Sequence, residues 1–220
     1  MAIAISNQTA SNLNPNATSQ TLPFTVFAGS DRTLLVVITM PNAVNFAGAT
    51  YDGVPMTLVR ATNFSGIGQR QAAYILQNPN TGSNNIVLSF TGTQVQSTSI
   101  YAAAFTGAGG FDNDAANISS NTPNSRSLTI QAGSIIYATG ISTFSQSFNY
   151  TIDGSSRTPS FNGHNTGTEI VEGALSAVGL TAGSKEVTTR ADAGSITNYR
   201  IAILEAGGGP APTRRRINIA

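Results

Sequence analysis

Side chains able to do chemistry are few and scattered along this chain. There is one histidine, His164, in the turn-rich run Phe161-Asn162-Gly163-His164-Asn165-Thr166-Gly167, and there is no cysteine. A lone imidazole with no second His or Cys cannot complete a zinc site. A serine triad would need His164 beside a serine and an aspartate, and no Gly-x-Ser-x-Gly elbow is present. Asp112-Asn113-Asp114, followed by Asn117, could offer oxygen ligands to Ca²⁺. The glycine that an EF-hand loop requires is missing there, and Asp-Asn-Asp is ordinary turn chemistry. Asp153, Glu169 and Glu172 are the other acidic candidates, but a glycosidase needs two carboxylates about 5–10 Å apart in a cleft. Trp, a common sugar platform, is absent. Gly107-Ala108-Gly109-Gly110 lacks the Lys-Ser/Thr of a phosphate loop and reads as a turn. The expectation is a protein that is not an enzyme and takes no metal or cofactor.

Composition agrees with that expectation and sets the class of elements. Only 10% of the 220 residues are charged, against about 25% in an ordinary soluble domain. Ser, Thr and Asn dominate, and with 22 Gly and 9 Pro they favour turns and strands over helices. Formal net charge is +1, yet three of the 11 basic side chains sit together at Arg214, Arg215 and Arg216, leaving a slightly acidic body. Such a body lacks the basic stripe that neutralises phosphates, so no sequence-specific nucleic-acid binding is expected. No run approaches the roughly 18 apolar residues of a membrane span. Met-Ala-Ile-Ala-Ile-Ser-Asn-Gln has neither the basic nor the apolar region of a signal peptide, which predicts a protein made and left in the cytoplasm.

Strand signals recur as short apolar or alternating runs closed by turn residues. Leu22 to Phe27 is the first clear run. Thr33 to Met40 is apolar on both faces, as a central strand covered on two sides would be. Tyr51-Asp52-Gly53-Val54 predicts a tight hairpin, because Asp-Gly supplies the positive φ that a two-residue turn needs. Further strands are expected at 70–77, 85–90 and 98–105, the last with small residues that let another layer approach. After a polar stretch to Arg126, strands resume at 127–130, 134–141, 148–152, 169–180, 186–189 and 197–205. In the last of these, Tyr199, Ile201 and Ile203 face one way and Arg200 and Ala202 the other. The predicted fold is all-β, a jelly-roll-like antiparallel β-sandwich with one core between two sheets, over residues 1–206 as a single domain. Two consecutive sandwiches split near Gly107 to Arg126 are the competing arrangement, disfavoured because each half alone would have a thin core.

Residues 207–220 are different in kind. Gly207-Gly208-Gly209-Pro210-Ala211-Pro212-Thr213 reads as a linker. Beyond it, Arg214, Arg215 and Arg216 precede an alternation that puts Ile217 and Ile219 on one face. Strand addition to a neighbour would bury the isoleucines while the guanidinium groups meet acidic patches or phosphate. Ala2-Ile3-Ala4-Ile5 is a matching N-terminal segment, suited to swapping or to closing its own sheet edge.

Several of these runs resemble a β-sandwich module of phage virion structural proteins and bacterial surface proteins, a family of unassigned function. The runs are Gly29-Ser30-Asp31-Arg32-Thr33-Leu34-Leu35-Val36-Val37, Ala49-Thr50-Tyr51-Asp52-Gly53-Val54-Pro55-Met56-Thr57-Leu58, Ala73-Tyr74-Ile75-Leu76-Gln77-Asn78-Pro79 and Tyr101-Ala102-Ala103-Ala104-Phe105-Thr106-Gly107. The resemblance covers about residues 20–110 and implies a non-catalytic scaffold of the virion or cell surface. Without an export signal or a repeat of the module, the phage side carries more weight. The expected role is a virion structural protein such as a capsid decoration protein, with other capsid or tail proteins and copies of itself as partners. The alternative is an extracellular adhesin or carbohydrate-binding module, in which Tyr51, Tyr74 or Tyr150 would stack on a surface glycan.

Overall fold

The computed structural model describes residues 2–13, 17–41, 44–64, 68–94, 98–119, 124–142, 148–157, 161–165, 170–177, 180–191 and 196–206. These residues form strands joined by turns. The first half of the chain runs β1 Ala4–Leu13, β2 Ala17–Val26, β3 Thr33–Pro41, β4 Phe46–Tyr51, β5 Val54–Pro55, β6 Thr57–Phe64, β7 Gln69–Gln77, β8 Gly82–Gln94 and β9 Thr98–Thr106. The second half runs β10 Ala108–Ser119, β11 Asn124–Ile130, β12 Ile135–Ser142, β13 Phe148–Ile152, β14 Ser155–Arg157, β15 Phe161–Asn165, β16 Ile170–Ala177, β17 Gly183–Ala191 and β18 Ile196–Glu205.

Four antiparallel sheets result. The first half makes an inner sheet, β1-β9-β3-β7-β6, and an outer sheet, β2-β8-β4-β5. The second half makes an inner sheet, β10-β18-β12-β16-β15, and an outer sheet, β11-β17-β13-β14. Within each half the chain crosses repeatedly between the two sheets, as in a jelly roll, with two hairpins kept within one sheet: β4–β5 and β6–β7 in the first half, β13–β14 and β15–β16 in the second. Replacing every strand of the first half by the strand nine places later reproduces the order of the second half without exception. The molecule is therefore a tandem of two jelly rolls of one topology.

Local chemistry repeats with the topology. Asp52 and Gly53 have φ of 51° and 74°, and Asp153 and Gly154 have 49° and 76°, so both halves use the same left-handed two-residue hairpin. In each case the aspartate N–H is tied to the neighbouring strand. Asp52 N donates to Asn85 O at 3.1 Å, and Asp153 N to Glu186 O at 2.9 Å. The sequence reading found no repeat, but the strand topology occurs twice, with different side chains around a shared Asp-Gly turn.

The four sheets stack as outer, inner, inner, outer, and three apolar layers lie between them. Phe24, Leu34, Val36, Tyr51, Ile86 and Leu88 fill the first. Leu35, Val37, Tyr101, Phe105, Tyr137 and Ile201 fill the middle one, and Leu128, Ile136, Tyr150, Ile152 and Val187 the third. The single core expected between two sheets gives way to these three. Each half alone would bury little, but the central strands of both inner sheets are apolar on both faces and so share a further core. Every residue of β3 is buried for this reason, Leu34 and Val36 facing one layer and Leu35 and Val37 the next.

The inner sheets meet in reversed strand order, with β10 beside β6 and β7, and β1 beside β15. Exchanging the halves maps one of these edges onto the other. A pseudo-twofold axis therefore passes between β3 and β12, as in an isologous dimer interface. At its middle, Gln71 Nε2 donates to Thr39 Oγ1 at 3.2 Å and, across the interface, to Thr139 Oγ1 at 2.9 Å. An Arg60–Asp114 ion pair clips β6 to β10 at the rim.

Candidate functional site

The expected docking residues Arg214, Arg215, Arg216, Ile217 and Ile219 lie outside the described residues, as does the linker before them. What the structure fixes is the point of departure. Ala206, just after β18, donates its N–H to Gly107 O at 2.7 Å, so the last described residue lies beside the junction between the two jelly rolls. That junction is held from several sides. Gly107 N donates to Ser30 O at 3.0 Å, Ala108 N to Asp31 O at 2.7 Å, and Gln77 Nε2 to Gly109 O at 2.8 Å. Thr33 Oγ1 adds a bond to Ala108 O at 3.2 Å. The Gly-rich run read as a turn and much of the polar stretch after it form strand β10, Ala108–Ser119, whose polar side chains suit a strand at the edge of its sheet.

The N-terminal segment arrives at the same end. Ala4 pairs with Thr106 and Ile5 with Phe105, and Ile3 is buried in the middle core. Ala2 to Ile5 thus closes the edge of its own inner sheet. Both Asp-Gly turns share this pole with the junction. Its exposed charges are mainly acidic: Asp31, Asp52, Asp153 and Glu186, with half-buried Glu205 beside them. Asp153 receives the Glu186 N–H at 2.8 Å and the Lys185 ammonium at 3.1 Å, which together hold its carboxyl below the ordinary value of 3.8. Arg32 is turned to backbone oxygens, donating to Pro79 O at 3.1 Å and Gly29 O at 2.5 Å.

The other sequence candidates separate. Asp112 accepts from Gln131 N at 2.9 Å and Ser134 Oγ at 2.9 Å, while Asn113 donates to Thr129 O at 3.0 Å and Asp114 pairs with Arg60. A register irregularity between Phe111 and Asn113 leaves Asp112 and Asn113 both bonded to the 129–134 segment, while Asp114 turns to β6. Among the described residues no three His, Cys, Asp or Glu side chains gather as a metal site. His164 sits on strand β15 opposite Val171, not in a loop. Glu172 lies on β16, Asp153 in the hairpin of an outer sheet, and Glu169 outside the described residues.

The three tyrosines considered for sugar stacking belong to the cores. Tyr51 is fully buried and donates to Gly82 O at 3.0 Å, and Tyr74 and Tyr150 are buried as well. Burial pushes the Tyr74 phenol up. None of them offers a ring face to a sugar, because each fills a layer between sheets.

Arg200 was placed by its alternation on the face opposite Ile201, and that face proves to be buried too. Its guanidinium donates to Val187 O at 2.8 Å and to Asn124 O at 3.2 Å. Desolvation, with Arg126 nearby, pushes it down to about 9, so it is still a cation at neutral pH. It ties β18 to both β17 and β11, a structural staple in the third core. Neither a protein-family model nor a curated protein sequence matches the chain.

Proposed function

We propose that the chain is a structural protein of a phage virion, in the role of a capsid decoration or cement protein. It is made in the host cytoplasm and held on the particle by lattice contacts and by its C-terminal arm. The observation that supports this most is the exit of the chain at Ala206, pinned to the junction of two jelly rolls on an acidic pole. An arm carrying Arg214, Arg215 and Arg216 is suited by charge to a neighbour's acidic surface. Ile217 and Ile219 then add an apolar strand contact. Each bound copy favours the assembled particle by mass action, with no chemical step. Capsid or tail proteins and further copies of the chain are the partners. The adhesin alternative is weakened by the burial of Tyr51, Tyr74 and Tyr150.

The test is deletion of residues 207–220. The truncated body should fold, with an unchanged circular dichroism spectrum, and be lost from purified particles. Normal occupancy by the truncated chain would remove the arm from the proposal.

A further inference from the structure

Ile3 is buried in the middle core, Ile5 packs against the same core, and Ala4 between them pairs with Thr106 at the end of β9. A register irregularity between Ile5 and Asn7 sets this stretch off from the rest of β1. From the irregularity onward, polar side chains fasten the strand. Ser6 Oγ donates to Ala104 O at 3.0 Å, Asn7 Nδ2 to Thr25 O at 2.6 Å, and Tyr101 OH to Gln8 Oε1 at 2.8 Å. Before it the side chains of Ala2, Ile3, Ala4 and Ile5 offer no hydrogen bond, and backbone pairing with burial of the isoleucines holds them. This end of β1 can therefore be released without unfastening the remainder. Ile217-Asn218-Ile219 repeats the alternation of Ile3-Ala4-Ile5. The body's last described residue also lies at this place, since Ala206 is bonded to Gly107 O, one residue past Thr106.

We infer that Ile217-Asn218-Ile219 of one copy replaces Ile3-Ala4-Ile5 on β9 of a second copy. Ile217 enters the middle core where Ile3 lies, Ile219 packs as Ile5 does, and Asn218 faces Thr106 in place of Ala4. In that antiparallel register Arg214, Arg215 and Arg216 continue past the end of β9. Two carboxylates flank their path: exposed Asp31, whose C=O receives the Ala108 N–H, and half-buried Glu205, which pairs with Ala108. The neighbouring cation, Arg32, is turned to the carbonyls of Gly29 and Pro79. One Ile-x-Ile exchanges for another, so apolar burial is nearly unchanged, and the arginine–carboxylate contacts favour the arm. In an isolated copy the N-terminal segment keeps the place because it is continuous with β1. A second copy held close, as on a lattice, raises the arm's local concentration and lets exchange proceed. Residues 207–216 span up to ~33 Å when extended, enough to cross between adjacent copies. This placement rests on the arm's docking role proposed above.

Cysteine trapping in the full chain tests it, since the sequence contains no cysteine. Thr106 stands opposite residue 4 in antiparallel register, a spacing that a disulfide can bridge. A Thr106→Cys chain mixed at high concentration with an Asn218→Cys chain, under mild oxidation, should give the mixed disulfide dimer. Its yield should exceed at least tenfold that of Ser89→Cys, exposed on β8, with the same Asn218→Cys partner. Ile3→Ser in the Thr106→Cys chain should raise the yield, and Ile217→Ser in the Asn218→Cys chain should lower it. Equal yields from Thr106→Cys and Ser89→Cys would overturn the inference, as would a disulfide that forms only when both cysteines share one chain. Trapping needs no particle, so the two readings fail separately. If trapping fails while deletion of residues 207–220 still frees the protein from particles, the arm's role stands and this docking place falls. If trapping succeeds while the deleted chain stays on particles, the docking place stands and the arm's role in the particle falls.

Discussion

Tyr101 and Tyr137 stack across the two inner sheets, with ring centroids 4.6 Å apart and ring planes at 29°. One belongs to β9 of the first jelly roll and the other to β12 of the second. Beside them Gln71 spans the same interface to Thr139. The two halves are thus joined through a continuous apolar layer with its own polar lock, so neither can lose its inner face without exposing the other's.

Tyr137→Ala should therefore weaken the whole stack and not the second half alone. A fully buried aromatic truncated to alanine costs about 3–5 kcal/mol. Chemical denaturation should show one transition shifted to lower denaturant, followed equally by probes in either half. A midpoint unchanged from wild type would show that the stacked rings contribute little to the joint.

Two glycine substitutions should differ in a defined order. Gly53 has φ of 74° and open space around a prospective Cβ, so Gly53→Ala should cost about 1 kcal/mol from backbone strain alone. Gly110 has φ of 106°, and a Cβ there would run into the Gln77 side chain that supports the junction. Gly110→Ala should cost more than Gly53→Ala, by about 1 kcal/mol or more. Thermal melts of the two variants check the order, and equal losses would contradict it.

Arg200→Ala should be costly, since it leaves a void and removes the donor shared by the buried carbonyls of Val187 and Asn124. A loss of about 3 kcal/mol or more is expected. Arg200→Met keeps most of the volume and should recover part of it. Wild-type stability in the alanine variant, measured by urea denaturation, would show that the staple is not needed.

Asp153 gives a pH signature. Its folded pKa is depressed by the Glu186 N–H and Lys185, so its stabilisation is fully present above the unfolded value near 3.8 and is lost as pH falls through the lower folded value. Asp153→Asn should flatten the acid limb of the stability curve below about pH 4 while leaving its slope near pH 7 unchanged. An acid limb identical to wild type would show that the hydrogen bonds to this carboxyl do not persist in solution.

Much of the fold was legible in residue types. The double-sided apolar run at Thr33 to Met40 called for a strand covered on both faces, and β3 is such a strand. Asp52-Gly53 announced its hairpin. The same run already implied a third layer, which a two-sheet sandwich cannot provide, and there the sequence reading stopped short. The duplication was also written in the chain: Asp52-Gly53 with Gly82-Ser83 and Ile86 recurs as Asp153-Gly154 with Gly183-Ser184 and Val187, at equal spacing. It was obscured because the intervening strands share only an apolar-polar alternation, which many side chains satisfy. Edge strand β10 escaped notice because its alternation is mostly polar. The burial of Arg200 was illegible, since a charged residue in an alternating strand ordinarily marks the solvated face.

The most direct measurement is the protein content of density-gradient-purified particles from the system that encodes the chain. A decoration protein should be present at a fixed copy number relative to the capsid protein and should remain after a wash at moderate salt. Deleting residues 207–220 should release it into the supernatant as a folded protein. A chain absent from the particles, recovered instead free or on the cell envelope, would contradict the virion role.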